Sequence, residues 1–275
     1  TVKLDSSSGT AISTTQVLDG TTIYAAVTPA TGYTANMTKN GTAFTSGNTF
    51  TMTEATTIAS SAVDTTAPVV TISKTDYNTF SWTATDGVGV TGYQINNNPD
   101  APAANESTWT TTGTLTSGSY DIDTTAGKTY YVWAKDAAGN VSAAKSITSY
   151  LVTRDQGTGT NLVTRVDGTS ASNGIAVTVN TAVLNETSVW ASATANSGYH
   201  GVALTKNGST ATVGGAAHII SAATTLATTF KSTASANEVT ITINKDDTAW
   251  PDSGINVALY QNGTVKYAYN TATVS

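Results

Sequence analysis

Hard oxygen ligands are the most suggestive chemistry in this sequence. Asp86 and Asp136 each close an alternating, aromatic-bearing segment, Phe80-Ser-Trp82-Thr-Ala84 and Tyr130-Tyr-Val-Trp133-Ala134. Turns then begin at Asp86-Gly87 and at Asp136-Ala-Ala-Gly-Asn140. Carboxylates brought together from separate turns are what calcium takes. Asp64, on the chain leading into this region, and Asn140 extend the set. The competing explanation is that Asp is favoured in turns, and no contiguous Asp-rich calcium loop occurs. A second chemistry is aromatic. Tyr131 and Trp133, with Trp109, offer ring faces of the kind that stack on carbohydrate. The alternative for them is packing under a neighbouring domain or across strands.

Catalysis is not expected. The two histidines, His200 and His218, have no Gly-x-Ser-x-Gly motif beside them, and His200, following Gly-Tyr in a strand, reads as a surface residue. Asp121 and Asp123 share a strand face and Asp246 and Asp247 share a turn, but glycoside hydrolysis needs two acids facing each other across a cleft. Cysteine is absent, which excludes disulfides, thiol nucleophiles and zinc-thiolate sites. A small β protein without disulfides fits a bacterial or archaeal exterior. The net charge of −6 with 12 Lys and Arg argues against a nucleic-acid partner, which needs a basic stripe. No apolar run approaches the length of a membrane span. The chain opens on a strand-like segment, Thr1-Val-Lys-Leu4, with no signal peptide, as a mature product or an excised fragment would.

The elements that must position these groups are strands. Charged residues make up 11% of the 275, and Thr and Ser take their place. Thr on the outer face of a sheet keeps β propensity and solubility without charge. Alternation puts Tyr130, Val132 and Ala134 on one face and Tyr131, Trp133 and Lys135 on the other. Phe80, Trp82 and Ala84 alternate likewise, and Tyr93 and Ile95 share a face. Ala67-Pro68, Trp82-Thr-Ala-Thr-Asp86 and Tyr131-Val-Trp-Ala-Lys-Asp-Ala-Ala-Gly-Asn140 resemble the fibronectin type III and bacterial immunoglobulin-like modules of bacterial surface proteins. That resemblance implies a sandwich over residues 65–150. In such a sandwich the turns after the second and sixth strands share a pole, which would bring Asp86 and Asp136 together.

The flanks repeat each other. Ile23-Tyr-Ala-Ala-Val-Thr-Pro-Ala-Thr-Gly-Tyr33 parallels Val189-Trp-Ala-Ser-Ala-Thr-Ala-Asn-Ser-Gly-Tyr199, and Met37-Thr-Lys-Asn-Gly41 parallels Leu204-Thr-Lys-Asn-Gly208. Both copies, over 1–64 and 151–236, resemble the B-repeat modules of bacterial surface proteins, with Met37 and Leu204 where that family usually has an aromatic. Residues 237–275 resemble the opening of a Cna-B-like module. That likeness would make Lys245 an isopeptide lysine whose Asn partner lies beyond Ser275; an ordinary strand-end lysine is the alternative. With about half such a domain present, the segment ends mid-domain, packs on a neighbour, or is completed by another chain. Asn-x-Ser/Thr triplets recur only as often as the composition makes them by chance.

The expectation is therefore an all-β chain of tandem small domains, including an immunoglobulin-like sandwich, in an elongated rod. The function this implies is a non-catalytic, extracellular, prokaryotic cell-surface stalk or adhesin, with a host or cell-surface protein or glycan as partner and with no cofactor unless calcium. Two alternatives accompany it. One is an accessory module of a secreted polysaccharide-acting enzyme. The other is a self-assembling filament subunit completed by strand exchange.

Overall fold

The computed structural model describes residues 1–13, 16–170, 172–213, 217–233, 255–261 and 264–271, with side chains up to 230 apart from His200. Among them there is no helix; every regular element is a strand.

The centre is a two-sheet sandwich. One sheet orders Ser117–Asp121, Thr79–Thr85 and Val69–Lys74; the other places Thr129–Asp136 between Val90–Asn96 and Lys145–Gln156. Alternation decides what lies between them. Val70, Phe80, Trp82, Ala84, Tyr130, Val132 and Ala134 all point inward and are buried, as expected of the two aromatic segments. Trp82 packs on Tyr93 with ring centroids 4.3 Å apart, and the buried Tyr130 hydroxyl accepts the Asp123 N–H at 2.9 Å. Gly118 lies flush against the indole: a Cβ there would sit 2.9 Å from Trp82 Nε1. The segment 97–116 adds only the bridge from Thr110 to Tyr93. Thr129–Asp136 is thus the fifth strand of this sandwich, where the expectation made it the sixth. The pole at which it ends is unchanged.

The two flanking modules share one topology. In the first, one sheet runs Ala11–Ile12, Val2–Leu4, Thr22–Ala25, Asn48–Thr51, and the second runs Thr42–Ala43, Tyr33–Lys39, Ile58–Asp64. The later copy reproduces both orders. Its first sheet is Ile175–Val177, Thr160–Val166, Thr187–Ala195, Ala217–Ile220. Its second contains Ser209–Ala211, Tyr199–Lys206, Thr224–Thr233. The Asn-Gly signals are two-residue hairpins in both: Asn40 and Asn207 have φ of 48° and 50°, Gly41 and Gly208 of 79° and 78°. Positive φ at both central residues suits the strand twist and favours Asn-Gly. Met37 and Leu204 are both buried. The later copy holds one more residue between its Tyr and that core position. Its ladder to Thr224–Thr233 keeps a single register across this stretch, from Tyr199–Thr233 to Leu204–Thr228, so the extra residue is matched by one more on the partner strand.

Sandwich and later copy are fused through one strand. The first part of Lys145–Gln156 pairs with Thr129–Asp136. Its second part pairs antiparallel with Thr181–Leu184 and parallel with Thr224–Thr233. The division expected at 150/151 falls inside this strand. Thr181–Leu184 is also held from the sandwich side, where Leu184 N–H donates to Tyr77 O at 2.7 Å and Ala182 N–H to Thr124 O at 2.6 Å. Leu184 is fully buried in the sandwich core, whereas Val183 is buried in the core of the later copy with Leu162, Leu204, Ile220 and Leu226.

At the far end, Ile255–Gln261 and Thr264–Thr271 form an antiparallel pair. It joins no other sheet among the described residues. The strand expected over 238–244, Lys245, Asp246, Asp247 and the turn at 262–263 lie outside the described residues.

Candidate functional site

The two turn acids meet a third at one pole of the sandwich. Asp64 ends the last strand of the first module, Asp86 follows Thr79–Thr85, and Asp136 ends Thr129–Asp136. Each presents a carboxylate oxygen within 4.8 Å of the other two. The turns fix them. Asp86 Oδ1 accepts the N–H groups of Val88 and Gly89 at 2.8 and 2.9 Å. Asp64 Oδ1 accepts Thr66 N–H at 2.9 Å. Asp136 Oδ1 accepts Asn140 N–H at 2.8 Å, and its Oδ2 accepts Asn140 Nδ2 at 2.7 Å. The same Nδ2 lies 3.1 Å from Asp64 O, tying the incoming chain to this pole.

Two of these oxygens have no donor. Asp64 Oδ2 and Asp86 Oδ2 are buried without a hydrogen-bond partner. Asp64 is 8% exposed and Asp136 2%. A buried acceptor left unmade costs roughly 1–3 kcal/mol, and more when charged. No basic side chain relieves the cluster: among the described residues the ion pair present is Lys128–Asp123, 2.5 Å.

The aromatic candidates fare differently. Tyr131 is half-buried on the outer face, as its place in the alternation requires. Trp133 shares that face but is only 4% exposed, so it presents no ring to a sugar, and the expectation is corrected there. The cause is the segment 97–116, which folds back over this sheet. Lys135 Nζ donates to Ala104 O at 2.7 Å, and Trp109, itself buried, donates from Nε1 to Ala103 O at 2.9 Å. Lys135 Nζ also stands 5.3 Å from the centroid of the Trp109 ring, a cation–π arrangement.

Asp121 and Asp123, the pair that shares a strand face in the sequence, are each held by other partners. Asp121 accepts Thr79 Oγ1 at 2.7 Å. Asp123 is bound by Lys128, whose hydrogen bond, with those from Thr125, holds its carboxyl well below the usual carboxylate range.

His218, set aside in the sequence as lacking a catalytic motif, has a burial that the sequence pattern did not reveal. It is buried on Ala217–Ile220, opposite Val189, and its Nε2 has no partner. Burial, then the Lys206 charge, pushes its pKa down. A folded-state pKa below the unfolded value gives stability that is present above about pH 6.5 and lost as pH falls through the folded pKa. Thermal melts between neutral pH and pH 5 are expected to show the midpoint falling with acid. His218→Leu should flatten that slope; an unchanged slope would assign it to other groups.

No protein-family model and no solved structure matches the chain significantly. The chain is similar to a chitinase A1 of Niallia circulans, 36% identical over 171 residues. The alignment spans 56% of this chain and 22% of the length of that protein. Together with the paired sheets and all-β content, this similarity fits a bacterial immunoglobulin- or fibronectin III-like domain.

Proposed function

We propose that this chain is a non-catalytic accessory segment of a secreted polysaccharide-acting enzyme, and that its β modules hold other domains at a set spacing. The similarity to a chitinase carries this reading. The covered fraction of that protein is small, as it would be for a module beside a catalytic domain. The arrangement of the aromatics bears on the mechanism. With Trp133 and Trp109 buried, neither of these rings is offered to a glycan, and spacing is the simpler role. A stiff spacer sets effective concentration better than a flexible one of equal length.

The test is a fusion. The full chain is placed between a chitinase catalytic domain and a chitin-binding domain and compared with a Gly-Ser linker of equal contour length. Hydrolysis of insoluble chitin is expected to be severalfold faster with the chain, and hydrolysis of soluble oligosaccharides equal. Equal rates on the insoluble substrate would sink the spacer reading, and sugar release by the chain alone would sink the non-catalytic one.

The two flanking modules repeat one topology, and a surface stalk would use such repeated parts. One observation favours the self-assembly alternative. In the later copy, Thr224–Thr233 is paired on both edges, one of them with the parallel strand Lys145–Gln156. Its counterpart Ile58–Asp64 pairs, among the described strands, only with Tyr33–Lys39. A strand from a second copy would fit that open edge. Light scattering across concentration separates the readings, because polymers are expected only from strand addition.

A further inference from the structure

We propose that the pole formed by Asp64, Asp86 and Asp136 is a calcium site that locks the first module to the central sandwich. The acids alone would not carry this, since Asp is common in turns. The second observation is the pair of bare oxygens. Asp64 is more than nine-tenths buried, its Oδ1 is committed to Thr66 N–H, and its Oδ2 is buried with no donor, in a carboxylate that has an oxygen within 4.8 Å of the other two acids. Asp86 repeats the pattern, with Oδ1 engaged by its own turn and Oδ2 bare. Each residue thus uses one oxygen to fix its position and holds the other ready.

Geometry and charge select the ion. Oxygens about 2.4 Å from a common calcium lie no more than about 4.8 Å apart, and the three carboxylates meet that limit. Three carboxylates with no basic partner among the described residues call for a hard cation. Calcium accepts irregular sets of six to eight oxygens, so water and nearby carbonyls can complete the shell, whereas magnesium demands a near-ideal octahedron. The mechanical consequence follows from the chain path. Asp64 belongs to the first module, Asp86 and Asp136 to the sandwich. One ion bound to all three crosses the junction that is otherwise held by hydrogen bonds such as Asn140 Nδ2 to Asp64 O and Thr65 N to Gly32 O. This inference does not depend on the accessory-module reading.

The experiment is calorimetric titration of the metal-stripped full chain with calcium chloride, repeated on Asp86→Asn and Asp64→Asn, with small-angle scattering of each. Asn keeps an Oδ1 acceptor for the turn N–H groups, so both variants retain the turns and lose the charge. The expected result is one calcium per chain, with an affinity in the ~0.1–1 mM range of extracellular modules. Each variant should bind at least about tenfold more weakly, magnesium should bind more weakly than calcium, and scattering should show a narrower spread of shapes with calcium. No binding up to about 10 mM, or equal binding by both variants, would overturn the site. Equal affinity for magnesium would overturn the ion assignment, and binding without change in scattering would overturn the lock.

Discussion

Trp82→Ala is expected to destabilise the central sandwich by about 3–5 kcal/mol, the range for removing a large aromatic from a core. Trp82 is buried in the middle strand of its sheet, where Ile72 and Gly118 are its cross-strand neighbours. Its ring fills the space between the sheets and meets Tyr93 from the facing one. Neither side can collapse into the vacancy. Gly118 has no side chain to advance, and Tyr93 is held in a ladder with Ala134. The loss is therefore the transfer term plus a cavity that stays open. Against a total of about 5–15 kcal/mol for a domain, this is enough to leave a large unfolded fraction on mild heating. Urea unfolding followed by far-UV circular dichroism measures it. A cost below about 1 kcal/mol would mean that the sheets close over the gap.

The parts of this structure that were legible share a physical basis. The sandwich core could be read because strands alternate: Phe80, Trp82 and Ala84, and Tyr130, Val132 and Ala134, are inward as a period of two requires. The flanking repeat could be read because Asn-Gly hairpins demand positive φ twice in succession and few other dipeptides supply it. The acid cluster was legible through topology, since turns that end at one pole bring Asp86 and Asp136 together whatever lies between them. What was not legible depends on non-local cover. Alternation puts Trp133 on an outer face, but only the path of segment 97–116 decides whether that face meets water. His218 gives the same lesson. The fusion through Lys145–Gln156 was hidden because a strand paired on different partners along its length looks locally like two strands, and the boundary at 150/151 looked natural for that reason. Leu4-Asp5 and Val166-Asp167 carried a further sign of the repeat. Both Asp residues follow the first strand of their module with φ of 63° and 53°, but a single Asp is too common to mark an alignment.

Fusion through one strand has a measurable consequence at Leu184. Leu184→Ala is expected to cost about 2–5 kcal/mol and to lower the stability of the sandwich and the later copy together. Leu184 comes from a strand inside the later copy, yet it is 0% exposed and packs into the sandwich core with Phe80, Tyr130 and Val132. Its neighbour Val183 faces the other way, into the core of the later copy. The strand that carries both is fixed to Tyr77 and Thr124 of the sandwich and to Ser149–Val152 on the shared strand. Unfolding either unit therefore strips the other of a core side chain and a ladder partner, and the two should melt in one calorimetric transition. The first module, whose described strands form sheets of their own, is free to melt separately. In Leu184→Ala the shared transition should shift as a unit. If instead the sandwich keeps its midpoint while only the later copy moves, the shared strand does not couple them, and 150/151 is an energetic boundary after all. A chain ending at residue 150 gives the complementary reading. It retains the whole immunoglobulin-like pattern but lacks Leu184, so it should be less stable than the same sandwich in the full chain. Equal stability would show that the core closes without it.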